Sequence, residues 1–274
     1  MTQSSTIDLV DTHCHLNLEE FDADRSEVLA RAANNLIRRI LIPGIDIETS
    51  KTAIKCSIDY DPVYVAVGVH PNNGLSWTKN SLIELKQLVS KEKVVAVGEI
   101  GLDYYRDNTP KDIQRSIFSQ QLEFAAKYEL PIIVHNRDAS DDISDLLINW
   151  QYELKVHGSK IADCPGVLHS FSGSVEMAQE MAERHFKIGI TGAVTFRNAQ
   201  NLQTVVAIVP LESILIETDS PYQTPDPFRG KRNEPSNVRI VAQKIADLKA
   251  IPLEDVAKVT SLEADKLFNW REIH

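Results

Sequence analysis

Cysteine is scarce. The 274-residue chain has three, Cys14, Cys56 and Cys164, far apart and without a C-x-x-C pair. An odd, dispersed set of thiols excludes a disulfide framework and a cysteine-based zinc site, and it fits a reducing compartment. Long apolar runs are missing too: no stretch approaches the roughly 20 residues of a membrane-spanning helix. Met1 to Asp8 lacks the basic-then-apolar order of a secretory signal. A soluble, cytoplasmic protein is therefore expected, with no membrane contact and no feature that marks a protein partner. Basic charge is in deficit, 29 Lys and Arg against 39 Asp and Glu, for a net charge of -10. Wide-surface binding to nucleic acid depends on neutralising many phosphates, so a nucleic-acid substrate would need a local basic patch. No repeat, low-complexity segment or composition break marks a linker, and residues 1–274 read as one domain.

With 43% hydrophobic residues the chain can bury a large core. Short β-branched or aliphatic runs alternate with amphipathic segments, the order that predicts a parallel sheet with crossover helices. The expected strands are Ile7 to His15, Arg39 to Gly44, Val63 to Val69, Val94 to Gly98, Ile132 to His135, Gly166 to His169, Lys187 to Thr191 and Ile214 to Glu217. Eight such units make an α/β fold of the (β/α)8 TIM-barrel type. Lys111 to Tyr128 has the clearest helical pattern, with Ile113, Ile117, Phe118, Leu122 and Ala125 on one face. Leu253 to Trp270 is expected to be a C-terminal helix against the outside or base of the barrel. Gln151 to Pro165 reads as an unusually long polar connection, a solvated insertion carrying His157. His157, His185 and His274 are assigned no role in chemistry.

Metal-ligating or acid–base side chains recur where expected strands end. They are Asp11-Thr12-His13-Cys14-His15, Glu99, His135, His169 and Asp219. Alternation along an extended chain sends His13 and His15 to one side and Cys14 to the other. In a (β/α)8 barrel the C-terminal strand ends converge, so all these groups can reach one centre. Four imidazoles and two carboxylates exceed the needs of one ordinary metal and suit two divalent cations roughly 3.5 to 4 Å apart. Mg2+, Mn2+ and Zn2+ are the candidates. Asp103 and Arg137 sit just beyond strand ends. There a carboxylate can orient a ligating imidazole or form a surface salt bridge, and a guanidinium can clamp phosphate. Arg229, Lys231 and Arg232 put three cations in a proline-rich loop after the eighth strand, a local patch able to hold a phosphodiester backbone. Tyr104, Tyr105, Phe171 and Tyr222 are candidate stacking surfaces for bases.

Six blocks, in order, carry a family resemblance: Val10 to Leu16, Gly68-Val69-His70-Pro71, Gly98 to Tyr105, His135 to Ala139, His169 to Gly173 and Glu217 to Tyr222. Over almost the whole chain the sequence resembles the TatD family of metal-dependent hydrolases, within the amidohydrolase-like superfamily. The resemblance implies one metal on His13, His15, Glu99 and Asp219, and a second on Glu99, His135 and His169, with Glu99 bridging. It implies a substrate-side role for His70 and catalytic roles for Glu99 and Asp219. The reaction it implies is phosphodiester cleavage by a metal-bridged hydroxide whose proton passes to Asp219. The expected activity is that of a deoxyribonuclease, acting as a 3′ to 5′ exonuclease on single-stranded DNA. Deacylation of D-aminoacyl-tRNA, or hydrolysis of small esters, amides or lactones, would use the same chemistry. A metal-binding scaffold without catalysis is the remaining alternative.

Overall fold

The computed structural model describes residues 8–270. The calls on Ile7 and His274 lie outside that range. In chain order the elements begin with β1 (Leu9–Asp11), α1 (Arg25–Asn34), β2 (Ile37–Pro43), α2 (Ile47–Asp59), β3 (Val63–Val67) and α3 (Ser81–Leu88). They continue with β4 (Val94–Asp103), α4 (Lys111–Tyr128), β5 (Ile132–Arg137), α5 (Ser140–Val156), β6 (Gly166–Leu168) and α6 (Val175–Glu183). The last are β7 (Lys187–Ile190), α7 (Gln200–Ile208), β8 (Ile214–Ile216), α8 (Val238–Lys249) and α9 (Leu253–Phe268).

All eight strands are parallel and pair in chain order. The ring closes between β8 and β1 through bonds beyond the strand ends. Thr12 N and Oγ1 donate to Ile216 O at 3.1 and 3.0 Å. Asp219 N donates to His13 O at 2.9 Å and His15 N to Ser220 O at 2.8 Å, around a parallel bridge of Cys14 with Ser220. β1 is thus shorter than the expected run to His15: the chain bends at Thr12, and pairing resumes only at the Cys14 bridge. β4 is longer than expected and carries on past Gly98 to Asp103. Its register against β5 slips between Val97, paired with Ile132, and Ile100, paired with Val134. One extra residue is accommodated there, and such a bulge re-aims a side chain. The re-aimed segment contains Glu99.

Two apolar layers follow from strand alternation. Leu9, Ile40, Ile42, Val63, Val65 and Ile132 pack outward under the helices. Val10, Leu41, Tyr64, Ile133, Val167 and Leu215 form a second cluster with Ala264, Leu267 and Phe268 of α9 and with Trp270. The last helix therefore seals the base of the barrel. The buried ammonium of Lys187 on β7 fastens it, donating to Glu263 of α9 at 2.5 Å and to Glu212 O at 2.7 Å.

Two sequence expectations are corrected here. The buried face of α4 lacks Ile113, which is 37% exposed, and includes Gln114 and Gln121, each 1% exposed. These amides do the work of peptide groups. Gln121 accepts from Val69 N and donates to Val69 O, at 2.8 and 3.0 Å. Gln114 accepts from Asp103 N and donates to Asp103 O, at 2.8 and 2.9 Å. Nor is Gln151 to Pro165 a solvated insertion. Its first part completes α5, because Leu147, Trp150 and Leu154 keep a buried stripe at helical spacing through polar neighbours. Gln151 Nε2 then ties the following turn down by donating to Ala162 O at 2.9 Å and Arg184 O at 2.7 Å.

Replacing Gln121 by Leu leaves the Val69 peptide unpaired and should lower stability by about 2–4 kcal/mol. Ile113→Ser should change it by no more than about 0.5 kcal/mol. Urea unfolding followed by circular dichroism checks both, and equal effects would contradict the assigned face.

Candidate metal centre

The seam between β8 and β1 creates half of the centre. Asp11, wholly buried, accepts hydrogen bonds from Thr218 N at 2.9 Å, Thr218 Oγ1 at 2.6 Å and His13 N at 3.3 Å. Burial pushes its carboxyl up to about 8 against these donors. This clasp brings the His13-Cys14-His15 segment beside Asp219, whose backbone is left-handed (φ 56°), a conformation Asp tolerates better than most residues. His13 Nε2 and His15 Nε2 are 3.3 Å apart. Glu99 Oε2 lies 3.4 and 3.8 Å from them, and Asp219 Oδ1 lies 3.9 and 3.5 Å from them.

The other half gathers on the second oxygen of Glu99. Glu99 Oε1 is 3.0 Å from His135 Nδ1, 3.5 Å from His70 Nε2 and 4.0 Å from His169 Nε2. His169 also lies 3.8 Å from Asp219 Oδ1, and its ring stacks on His13 with centroids 3.3 Å apart. All six expected ligands therefore meet, and His70 joins them. Asp103 orients rather than decorates: it is buried, its Oδ2 is 3.2 Å from His135 Nε2, and it accepts from Asn72 Nδ2 at 3.0 Å. His70 differs from the rest. Its Nδ1 accepts from Asn72 N at 3.1 Å, and burial depresses its pKa to about 3. A neutral ring with Nδ1 occupied as an acceptor carries its proton on Nε2. That nitrogen is a donor aimed into the site, so His70, though it lies beside Glu99 and His135, is the least suited of these residues to ligate a metal.

These residues fit a divalent cation. Tetrahedral coordination at about 2.0–2.1 Å spaces its ligand atoms about 3.3–3.4 Å apart, close to the observed separations of His13, His15 and Glu99. Among the described residues no lysine or arginine lies in ion-pair contact with Glu99 or Asp219. Imidazoles are their ionisable neighbours instead. Burial would raise the Glu99 carboxyl, but His70, His13 and His135 hold it well below its usual range. Asp219 sits at about 2: burial opposes ionisation there, and His15, His169 and His13 outweigh it. His169, despite burial, rises to about 10 among Glu217, Asp219 and Glu99. His13, stacked on it, is driven down by burial and by that neighbouring charge.

Of the expected substrate residues His70 joins the cluster, whereas the cationic ones are set against aromatic rings or acids. The Arg137 guanidinium covers the Tyr105 ring at 3.9 Å, Arg229 covers Phe196 at 4.1 Å, and Lys231 lies 5.7 Å from the Phe228 ring. Arg232 does not contribute a free cation. It forms a two-pronged pair with Asp24 at 2.8 and 2.7 Å and donates to Glu20 O, fixing its loop to the start of α1. Two of the four candidate stacking rings are also occupied: Phe171 is buried, and the Tyr104 hydroxyl donates to Asp142 under Lys111. Tyr105 and Tyr222 remain exposed, Tyr222 with its ring 6.2 Å from that of His15. The sequence reading missed Glu217, which is wholly buried with Oε1 2.9 Å from His169 Nδ1. Its spacing of two from Asp219 matches that of His13 and His15, and it was the available signal. Gln223, which donates to Asp219 Oδ2 at 3.0 Å, offered no such pattern.

A family model described as TatD related DNase matches residues 10–269. The chain belongs to the TatD family. It is 44% identical over 260 residues to the uncharacterized metal-dependent hydrolase YabD of Bacillus subtilis (strain 168), covering 95% of this chain and 98% of that protein. It is 34% identical over 267 residues to the 3′-5′ ssDNA/RNA exonuclease TatD of Salmonella typhimurium, covering 95% and 98%. The crystal structure of YjjV, a TatD homolog from Escherichia coli K12, superposes with a TM-score of 0.87 at 32% identity, covering 97% of this chain and 100% of that one. The protein is accordingly a metal-dependent hydrolase of TatD type on a TIM barrel.

Added Mn2+ or Zn2+ at about 100 times its Kd should stabilise the fold by about 2.7 kcal/mol, seen as a rise in Tm that EDTA reverses. Because His169 and His135 hold protons more tightly than free imidazole, metal must displace them. The rise should therefore shrink as pH falls from about 8 to about 5. A Tm indifferent to metal at every pH would contradict the site.

Proposed function

We propose that this protein is a deoxyribonuclease that shortens single-stranded DNA from the 3′ end, using two divalent cations held by His13, His15, Glu99, His135, His169 and Asp219. The observation that carries this reading is Glu99, whose Oε2 faces His13 and His15 while Oε1 faces His135. One carboxylate turned to two ligand sets suits a pair of metals better than a single ion. The exonuclease named among its relatives, 34% identical over nearly the full chain, supports the substrate class. Bound cations would supply Lewis acidity and a water ionised near neutral pH.

The chain's own residues do the rest. Asp219 Oδ1 points into the cluster and stays ionised at working pH, its carboxyl being held at about 2, so it can accept the attacking water's proton. Gln223 fixes that carboxylate by its other oxygen. His70, neutral with a proton on Nε2, donates to the leaving oxygen or to a phosphoryl oxygen. Arg137, Arg229 and Lys231, each set against an aromatic ring, offer cationic contacts, and Tyr222 and the outer part of Tyr105 offer exposed rings. Base stacking on such rings contributes about 1–3 kcal/mol each and is indifferent to sequence.

End-labelled single-stranded DNA with Mg2+ or Mn2+ should shorten stepwise. Turnover confined to D-aminoacyl-tRNA, or to an ester and amide panel, would replace the nuclease reading with one of its hydrolytic alternatives. Asp219→Asn should retain much of its metal yet lose about 10²–10⁴ in kcat, whereas Glu99→Gln should lose metal as well, measured by elemental analysis. His70→Asn should slow an alkyl phosphodiester far more than a p-nitrophenyl one, whose leaving group needs no proton. Equal slowing of both would remove the leaving-group role and leave donation to a phosphoryl oxygen.

A further inference from the structure

The least explained group near the centre is Glu217. It is fully buried one residue past β8, and its Oε2 has no hydrogen-bond partner. A carboxylate so placed is costly to bury unless something holds it. Two contacts do, both on Oε1: His169 Nδ1 at 2.9 Å and the backbone N–H of Ser170 at 2.5 Å. Ser170 reaches it from a left-handed backbone (φ 45°), which turns its amide inward. The His169 N–H lies off the line to the carboxylate, so this contact is an ion pair rather than an aligned hydrogen bond. The space itself is made by Gly189 on β7. A Cβ there would stand 2.7 Å from both Glu217 oxygens, closer than real contacts allow. A glycine on one strand, a left-handed serine after a second and an acid after a third thus combine around one imidazole.

We propose that Glu217 is a positioning residue. It engages Nδ1 of His169 so that Nε2 is the nitrogen turned to Glu99 and Asp219, and Gly189 keeps open the slot in which it does so. The inference rests on His169 being a metal ligand, as in the function proposed above. A buried carboxylate on the far nitrogen selects the ring's tautomer, fixes its orientation and raises its basicity toward a cation. His169 Nε2, 4.0 Å from Glu99 Oε1 and 3.8 Å from Asp219 Oδ1, is the atom presented. Among the described residues Glu217 contacts the cluster through His169, so it acts through that ring.

The test reads metal binding without substrate. Zn2+ or Mn2+ affinity is measured by chelator competition for wild type, His169→Ala, Glu217→Gln and Gly189→Ala, with 15N histidine spectra of the Zn2+-loaded protein reporting the His169 tautomer. Glu217→Gln should weaken metal binding about 10–100-fold and scramble the tautomer. Gly189→Ala, which touches no ligand, should do the same by displacing the carboxylate. Metal-free Tm serves as the folding control, and Gly189→Ala carries the test if Glu217→Gln fails to fold. If His169→Ala leaves affinity unchanged, the ligand assignment fails. If His169→Ala weakens binding while both other variants keep wild-type affinity and tautomer, the role of Glu217 is overturned.

Discussion

The clasp between Asp11 and Thr218 is the interaction on which this molecule turns. The seam between β8 and β1 must close for the barrel to exist, and it closes beyond the regular strands, where Asp11 accepts from both the amide and the hydroxyl of Thr218. The residues following each partner belong to the cluster able to hold a metal, His13 and His15 on one side and Asp219 on the other. Ring closure and site assembly are therefore one event: a chain that fails to shut here also fails to bring its ligands together. The burial of an acid at this point raises its carboxyl to about 8, a local strain on stability accepted where the geometry of the site is set.

The charge arrangement at the mouth has the same character. Glu99 and Asp219 are buried with imidazoles, and no lysine or arginine among the described residues, as their ionisable partners, and in answer one ring, His169, is driven up while its stacked neighbour His13 is driven down. Neutral close packing would serve the fold better than this opposition. Local conflict of this kind, concentrated at the strand ends while the rest of the barrel is conventionally apolar, marks the region as kept for chemistry.

Much of this was legible beforehand. The eight strand–helix units show in alternating residue periods, and the ligands stand out because each closes a β-branched run. What escaped depends on partners far away in sequence. Gln114 and Gln121 look like surface residues of an amphipathic helix until Asp103 and Val69 are placed beneath them. Arg232 looks like a free cation until Asp24, 208 residues earlier, is set beside it. Glu217 was visible as a letter but not as a neighbour, since its partner His169 comes from another strand. The apparent insertion after Gln151 failed for the opposite reason, a polar composition masking an unbroken helical stripe.

The stopper at the base has a consequence for traffic. With α9, Phe268 and Trp270 packed against Tyr64 at the base, the lower end of the barrel is shut. A polymer cannot thread through it. Whatever reaches the ligand cluster must therefore arrive and depart on the one face where the strands end.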